Sequence, residues 1–331
     1  HRHPADVGGA GPGAGRRRIV IPRALDPRRL GARAGDEVTI AGYRLGWAGV
    51  RALPEGAAYR LFDQVADALV RRGGKGVQRL RSNYARVRPE LGPRELDALV
   101  REGMRAYMRY YCEAFRLPTL TAEQVAARVR VRGDGPVRTR LAAGRPVVAF
   151  LGHMGNWDLA GAWCCAELGT VVTVAEKLEP EAVFREFLAF RESLGMRIIP
   201  LGADTFPRLR QETRGPVVVP LLADRDLTGG GMSVDFCGHQ ARMAVGPAAL
   251  ALATGSALHP VSIRHERRDG GWGILVTFHD EITVPASGTT REKTAAMTQG
   301  CADVLGGVIR RHTADWHMLQ RVFADDLDGR R

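Results

Sequence analysis

Five consecutive apolar residues, Val147 to Leu151, run straight into GHMGNWD and then into the apolar segment LAGAW. A run of that length reads as a strand buried on both faces. It stops at Gly152, and a helix is expected over about 157–168, with Asn156 as its cap. His153 is thereby placed at the C-terminal end of a strand, in the crevice where open α/β sheets hold their ligands. Asp158 follows five residues later, in the first helical turn. The H-x4-D spacing allows the carboxylate to fold back on the imidazole, hold one ring N–H and leave the other nitrogen as a base. A bare H-x4-D is equally a capping turn with an incidental histidine. Gly152 and Gly155, which permit close approach of backbone and substrate, favour a site.

Around that stretch the chain divides into three expected parts: a basic, low-complexity, disordered tail (1–36), a helical membrane-associating subdomain (37–118) and an α/β catalytic core (119–331). In the tail, GGAGPGAG and Arg16 to Arg18 follow no strand and are interrupted by proline, so they do not make a dinucleotide fingerprint. In the helical part, Ile40, Tyr43, Trp47, Val50 and Leu53 recur three to four apart, and 60–70, 76–87 and 93–115 repeat the pattern. Arginines beside these stripes, with Tyr84 among them, fit an interfacial helix on an anionic membrane; a subdomain packed on the core explains the stripes equally well. Beyond residue 125 strands are expected at 128–131, 147–151, 170–174, 197–200, 217–222, 233–236, 257–263 and 273–278. Helices are expected at 157–168, 180–194, 204–213, 246–254 and 290–312. The alternation implies a mixed, largely parallel sheet flanked by helices.

The formal charge of +12 rests almost wholly on arginine, because the 331 residues contain just three lysines, Lys75, Lys177 and Lys293. Such an excess suits nucleic acid, anionic lipid or an anionic cofactor, or reflects no more than the base composition of the gene. Five cysteines without C-x-x-C or paired spacing read as free thiols in a reducing compartment. No apolar run approaches the ~18 residues of a membrane span, and His1 to Gly15 lacks the apolar segment of a signal peptide. H-E-x-x-H, G-x-S-x-G and the P-loop are all missing from the sequence.

Two further strand ends carry polar residues. Glu176 lies two past Val174, and Asp224, Arg225 and Asp226 lie just past Leu222, on the same expected sheet edge as His153. Arg191, near the end of a helix, is placed to pair with Glu176 or bind a phosphate, or is a charge favoured by the helix dipole. Cys164 and Cys165 sit inside the helix after the motif and read as core. A His/Asp pair without a serine or cysteine nucleophile points to a histidine that activates a hydroxyl of the substrate itself, with no acyl-enzyme.

The blocks GHMGNWDLAG, TVAEKLEPEAVFREFLAFRESLGMRIIPL, LLADRDL, VDFCGHQARMAVGPAALALATGSALHPV and ADWHMLQ, in that order, resemble the bacterial lysophospholipid-acyltransferase-like family that includes the late acyltransferases of lipid A. The chain is most similar to its actinobacterial phosphatidylinositol mannoside acyltransferases, over about residues 36–327. The resemblance implies transfer of a fatty acyl group, typically palmitoyl, from acyl-CoA to the 6-hydroxyl of a mannose on phosphatidylinositol mannoside. It makes His153 the base and Asp158 its orienting carboxylate. Glu176, Arg191 and Asp224 then stand at positions around the acceptor, with Arg225, Asp226 and Asn156 beside them. Backbone N–H groups at the start of the 156–168 helix are the expected oxyanion donors. The mannoside enzymes carry glutamate where this chain has Asp224, which draws the carboxylate back from a sugar hydroxyl, and a small serine is common where Met154 stands, which alters the pocket wall. The implied partners are acyl-CoA, a mannosylated phosphatidylinositol and an anionic membrane surface, with no cofactor, no metal and no nucleic acid, at the cytoplasmic face of the plasma membrane and peripheral to it. Another glycolipid acceptor, an acyl-CoA thioesterase and a basic lipid- or RNA-binding protein are the alternatives.

Overall fold

All five residues of Val147–Leu151 are buried, and their side chains alternate between two separate apolar clusters. Val148 and Phe150 enter one cluster, Val147, Ala149 and Leu151 the other, which is the period-two consequence of a strand covered on both faces. This is a computed structural model, and it describes residues 47–176, 181–226, 229–268 and 271–328. The tail expected at 1–36 and the first half of the amphipathic stretch from Ile40 lie outside the described residues. Those described fall in one unit, Arg44–Arg331.

The order of elements begins with helices: α1 (47–52), α2 (Glu55–Arg72), α3 (Lys75–Val87), α4 (Pro93–Arg116) and α5 (Ala122–Arg128). Then come β1 (Val129–Arg132), α6 (Gly135–Ala142), β2 (Val147–Leu151), α7 (Trp157–Glu167), β3 (Val172–Ala175), α8 (Glu181–Ser193), β4 (Arg197–Pro200), α9 (Thr205–Glu212) and β5 (Val218–Leu222). The hairpin β6 (Met232–Phe236) and β7 (His239–Met243), α10 (Gly246–Thr254), β8 (Ala257–Arg268), β9 (Gly271–Phe278), α11 (Thr290–Arg311) and α12 (Ala324–Asp328) complete the chain. The main sheet has the order β1-β9-β8-β2-β5, parallel throughout except for the antiparallel β8–β9 pair. β3 and β4 pair in parallel, and a bridge from Val171 to Val218 joins them to the β5 edge.

The expected mixed, largely parallel α/β fold is therefore present, with helices on both faces. The departures are local. Strand β7, HQARM, was not anticipated, because it offers little apolar alternation and depends on pairing with β6. Helices α5 and α6 are short and rich in charge, so periodicity was silent on them.

Helix α4 links the two faces. Leu96, Val100 and Met104, in its first half, join one apolar cluster, whereas Tyr110 and Ala114 join the other. Its second half consequently passes close to α7 and to the turn at Thr313–Asp315. That passage carries Tyr110 and Glu113 towards the turn that bears His153.

Candidate active site

The register of the parallel ladder sets the central pair. Leu151 of β2 lies opposite Leu222 of β5, and the ladder runs one step further through the Ala223 amide, which donates to the Leu151 carbonyl. His153 and Asp224 each stand two residues beyond those paired leucines, so they meet. His153 Nδ1 is 2.5 Å from Asp224 Oδ1, and the His153 amide donates to Oδ2 at 2.8 Å. Trp316 Nε1 donates to the same Oδ2 at 2.9 Å. Asp224 is fully buried. Burial opposes its ionisation, but the charge and ring hydrogen bond of His153, with the Trp316 and amide donors, hold the carboxyl below its ordinary value. A carboxylate on Nδ1 keeps the proton there and leaves Nε2 as the base.

Asp158 does not orient His153, contrary to the expectation from H-x4-D. Both of its oxygens are engaged elsewhere: Arg191 Nε donates to Oδ1 and the Tyr110 hydroxyl to Oδ2, each at 2.7 Å. The physical reason is the helix. Asn156 Oδ1 accepts the Leu159 amide and starts α7, which turns Asp158 away from the strand end and towards α4 and α8. The Asp158 and Arg191 side chains are 1% and 8% exposed, so this is a buried ion pair tying α7 to α8. Arg191 accordingly pairs with Asp158 and not with Glu176.

Glu176 pairs instead with Arg225, whose Nη2 donates to Oε2 at 2.8 Å on the exposed rim. Asp226 turns inward and accepts the amides of Gly229 (3.1 Å) and Gly231 (2.8 Å). Asp224, with both oxygens committed to His153 and Trp316, has no reach towards an acceptor sugar. Met154 forms no pocket wall: its side chain is fully buried in the core. Gly155 has φ +57, and a Cβ there would stand 2.7 Å from the Ile263 carbonyl oxygen, so its smallness serves contact with β8 and not with substrate.

A second segment braces the turn, the ADWH block at 314–317. Met154 and Trp316 form an antiparallel bridge; the His317 amide donates to the His153 carbonyl at 2.7 Å and the Gly155 amide to the Asp315 carbonyl at 3.0 Å. Tyr84 of α3, seated against Gly103 of α4, donates to the Trp316 carbonyl at 2.9 Å. Behind the turn lies a group that sequence reasoning missed: Glu113, His265 and His317, all buried, with the half-buried Asp315. Two signals were available: Glu113 is a lone acid inside the apolar run YYCEAF, and His265 continues the inward alternation of Val261 and Ile263.

Between the sheet and α7 lies a narrow apolar cleft of about 50 Å³ that opens to solvent. Leu151, Leu222, Val261, Ile263 and Phe278 line the sheet side and Trp157, Gly161 and Cys164 the helix side. The Trp157 ring stands edge-on to His153 with centroids 5.6 Å apart, joining the cleft to the base. Burial pushes the Cys164 thiol up to about 12, which denies the cleft a thiolate nucleophile at neutral pH. Among the described residues no cluster of His, Cys, Asp or Glu could hold a metal ion.

Asp224→Asn is expected to lower kcat by about 10²–10⁴-fold, since the neutral amide no longer favours the Nδ1–H tautomer or the imidazolium. Steady-state kinetics checks it; a loss below tenfold would detach Asp224 from the chemistry. Because the folded carboxyl titrates below its ordinary 3.8, its stabilisation is present above that value and is lost as pH falls through the folded pKa.

The profile of bacterial lipid A biosynthesis acyltransferases matches residues 36–325. The chain is 40% identical over 323 residues to the phosphatidylinositol mannoside acyltransferase of Mycobacterium tuberculosis (strain ATCC 25618 / H37Rv), covering 96% of this chain and 97% of that one. It is 39% identical over 300 residues to the protein of the same name from Mycolicibacterium smegmatis, covering 90% and 95%.

Proposed function

We propose that this chain, which belongs to the bacterial lipid A biosynthesis acyltransferase family and is an acyltransferase, moves a long acyl group such as palmitoyl from acyl-CoA to the 6-hydroxyl of a mannose on phosphatidylinositol mannoside. The observation that carries the chemistry is the His153–Asp224 pair beside an apolar cleft that has no activated nucleophile of its own. His153 Nε2 takes the proton of the mannose hydroxyl as its oxygen forms a bond to the thioester carbonyl carbon. The C–S bond then breaks, and the imidazolium returns that proton to the departing thiolate, so coenzyme A leaves as the thiol and no acyl-enzyme forms. Asp224 holds the ring and stabilises the imidazolium. The amides of Trp157 and Asp158, in the first turn of α7, supply donors for the oxyanion. The acyl chain enters at the mouth of the cleft, which must widen to take it, while Glu176 and Arg225 on the rim face the polar substrates.

Lipid substrates place the protein at a membrane. No helix among the described residues is long and apolar enough to cross one. Helix α2 instead exposes Leu61 (43%), Val65 (38%) and Leu69 (37%) in one stripe beside the exposed Arg60, Arg71 and Arg72. Such a face lies on an anionic surface by apolar insertion and charge, and the cytoplasmic leaflet is the anionic one. Changing the three apolar residues to Asp is expected to abolish flotation with anionic vesicles while leaving Tm within a few degrees; unchanged flotation would remove α2 from the contact.

The function is tested with purified protein and palmitoyl-CoA, with and without phosphatidylinositol mannosides, by thiol release and lipid mass spectrometry. Gain of one palmitoyl group on the acceptor supports the proposal. Thiol release with free fatty acid alone would overturn this acceptor, leaving a thioesterase activity or another glycolipid acceptor.

A further inference from the structure

We propose that His265 is a positioning residue for the transfer reaction, its imidazolium being the buried counter-ion that holds the Gly155–Asn156 end of the 153–156 turn through Glu113 and Asp315. The reaction it serves is the acyl transfer proposed above. His265 Nδ1 lies 3.0 Å from Asp315 Oδ1, which also accepts the His265 amide at 3.1 Å. Its Nε2 lies 3.4 Å from Glu113 Oε2. The three side chains are 2%, 15% and 8% exposed, in the order His265, Asp315, Glu113. Each acid then grips the catalytic turn: Glu113 Oε2 accepts Asn156 Nδ2 at 2.8 Å, and the Asp315 carbonyl accepts the Gly155 amide at 3.0 Å. His153 lies two residues before Gly155, its own carbonyl held by the His317 amide, two residues beyond Asp315, at 2.7 Å.

Two carboxylates flank one imidazole, Asp315 at Nδ1 and Glu113 at Nε2, and both favour its charged form. Burial alone would drive the imidazole neutral, but Glu113 and Asp315 outweigh it and bring His265 up to about 9. Asp315 is held below its ordinary value by His265 against the effect of burial. Other polar groups face this cluster: Arg116 and Arg128 line a small pocket together with Glu113 and Asn156. Arg109 of α4 lies over the Trp272 ring of β9 at 3.5 Å, and Tyr59 of α2 donates to Glu113 Oε1 at 3.4 Å. His317, pushed down to about 3 by burial and the nearby His265 charge, stays neutral. The folded pKa of His265 thus exceeds its ordinary 6.5. Its stabilisation of the turn is full below that value and is lost as pH rises through about 9.

The test is ¹⁵N-histidine NMR on the full chain between pH 6 and 10, with His265 assigned from the His265→Gln spectrum. The expected result is a His265 protonated on both nitrogens at pH 7.5 that titrates near 9, with the His153 Nδ1–H resonance shifting at the same midpoint. Glu113→Gln, folded by circular dichroism, is expected to move the His153 resonance at pH 7.5 and to lower kcat at least tenfold with KM for acyl-CoA within twofold. A neutral His265 at pH 7.5, or a His153 resonance indifferent to both changes, would overturn the proposal. The wild-type titration needs no variant to fold. If the wild type released no thiol from acyl-CoA, the acyl-transfer reading would fail while the NMR result still decided the role of His265.

Discussion

His153→Ala is expected to lower acyl transfer by about 10³-fold or more in a protein that still folds, the size of loss that follows removal of a general base. The two consequences separate because of where the residue sits. Its side chain is 17% exposed on a turn whose conformation is held by backbone bonds to Asp224, Asp315 and His317, all of which survive the substitution. Asp224 keeps two of its three donors, Trp316 Nε1 and the amide of residue 153. Thiol release from palmitoyl-CoA in the presence of acceptor, beside a thermal melt, checks both halves. A variant with more than a tenth of wild-type turnover would remove His153 from the mechanism.

Arg191→Leu is expected to act in the opposite way, on stability first. It leaves the Asp158 carboxylate buried with just the Tyr110 hydroxyl, and stranding one member of a buried pair costs about 3–5 kcal/mol. In a chain of this size that is a fall in Tm of roughly 10 °C. The guanidinium also lies over Phe187 at 4.3 Å, so packing is lost with the charge. Replacing both partners, Asp158→Leu with Arg191→Leu, is expected to cost less than the two single changes summed, because no charge is then stranded. Denaturant unfolding of the four proteins closes this cycle. A single-mutant cost under about 1 kcal/mol would mean that water reaches the pair. Together the two experiments separate the acids: Asp224 variants register in kcat, Asp158 variants in unfolding free energy.

The assignment of those two acids shows how far linear reading goes. The strand at 147–151, the cap at Asn156 and the helix beyond it depend on neighbours in the chain, and each is found where local pattern placed it. His153 at the strand end followed from them. Its partner did not. Asp158 is five residues away and Asp224 seventy-one, so proximity in sequence favoured the wrong acid. The clue was the common offset of two residues past Leu151 and Leu222, which becomes informative once β2 and β5 are known to be neighbours in register. Arg191 and Glu176 were exchanged for the same reason: each found an oppositely charged partner, but on an element that spacing alone does not bring near.

Periodicity, capping and motif order are legible along the linear chain, and they account for a largely parallel α/β sheet, the placing of His153 at its ligand edge, and membership of an acyltransferase family through blocks spread over most of the chain. Tertiary structure alone decided which acid serves His153, that Asp158 and Arg191 brace α7 instead, and that Glu113, His265 and Asp315 gather behind the turn. The reason is that hydrogen bonds and ion pairs act over about 3 Å, whereas the distances that create them are set by strand register and helix packing across the whole sheet. Local pattern fixes a residue's element and face; its partner is fixed by which other element lies across from it.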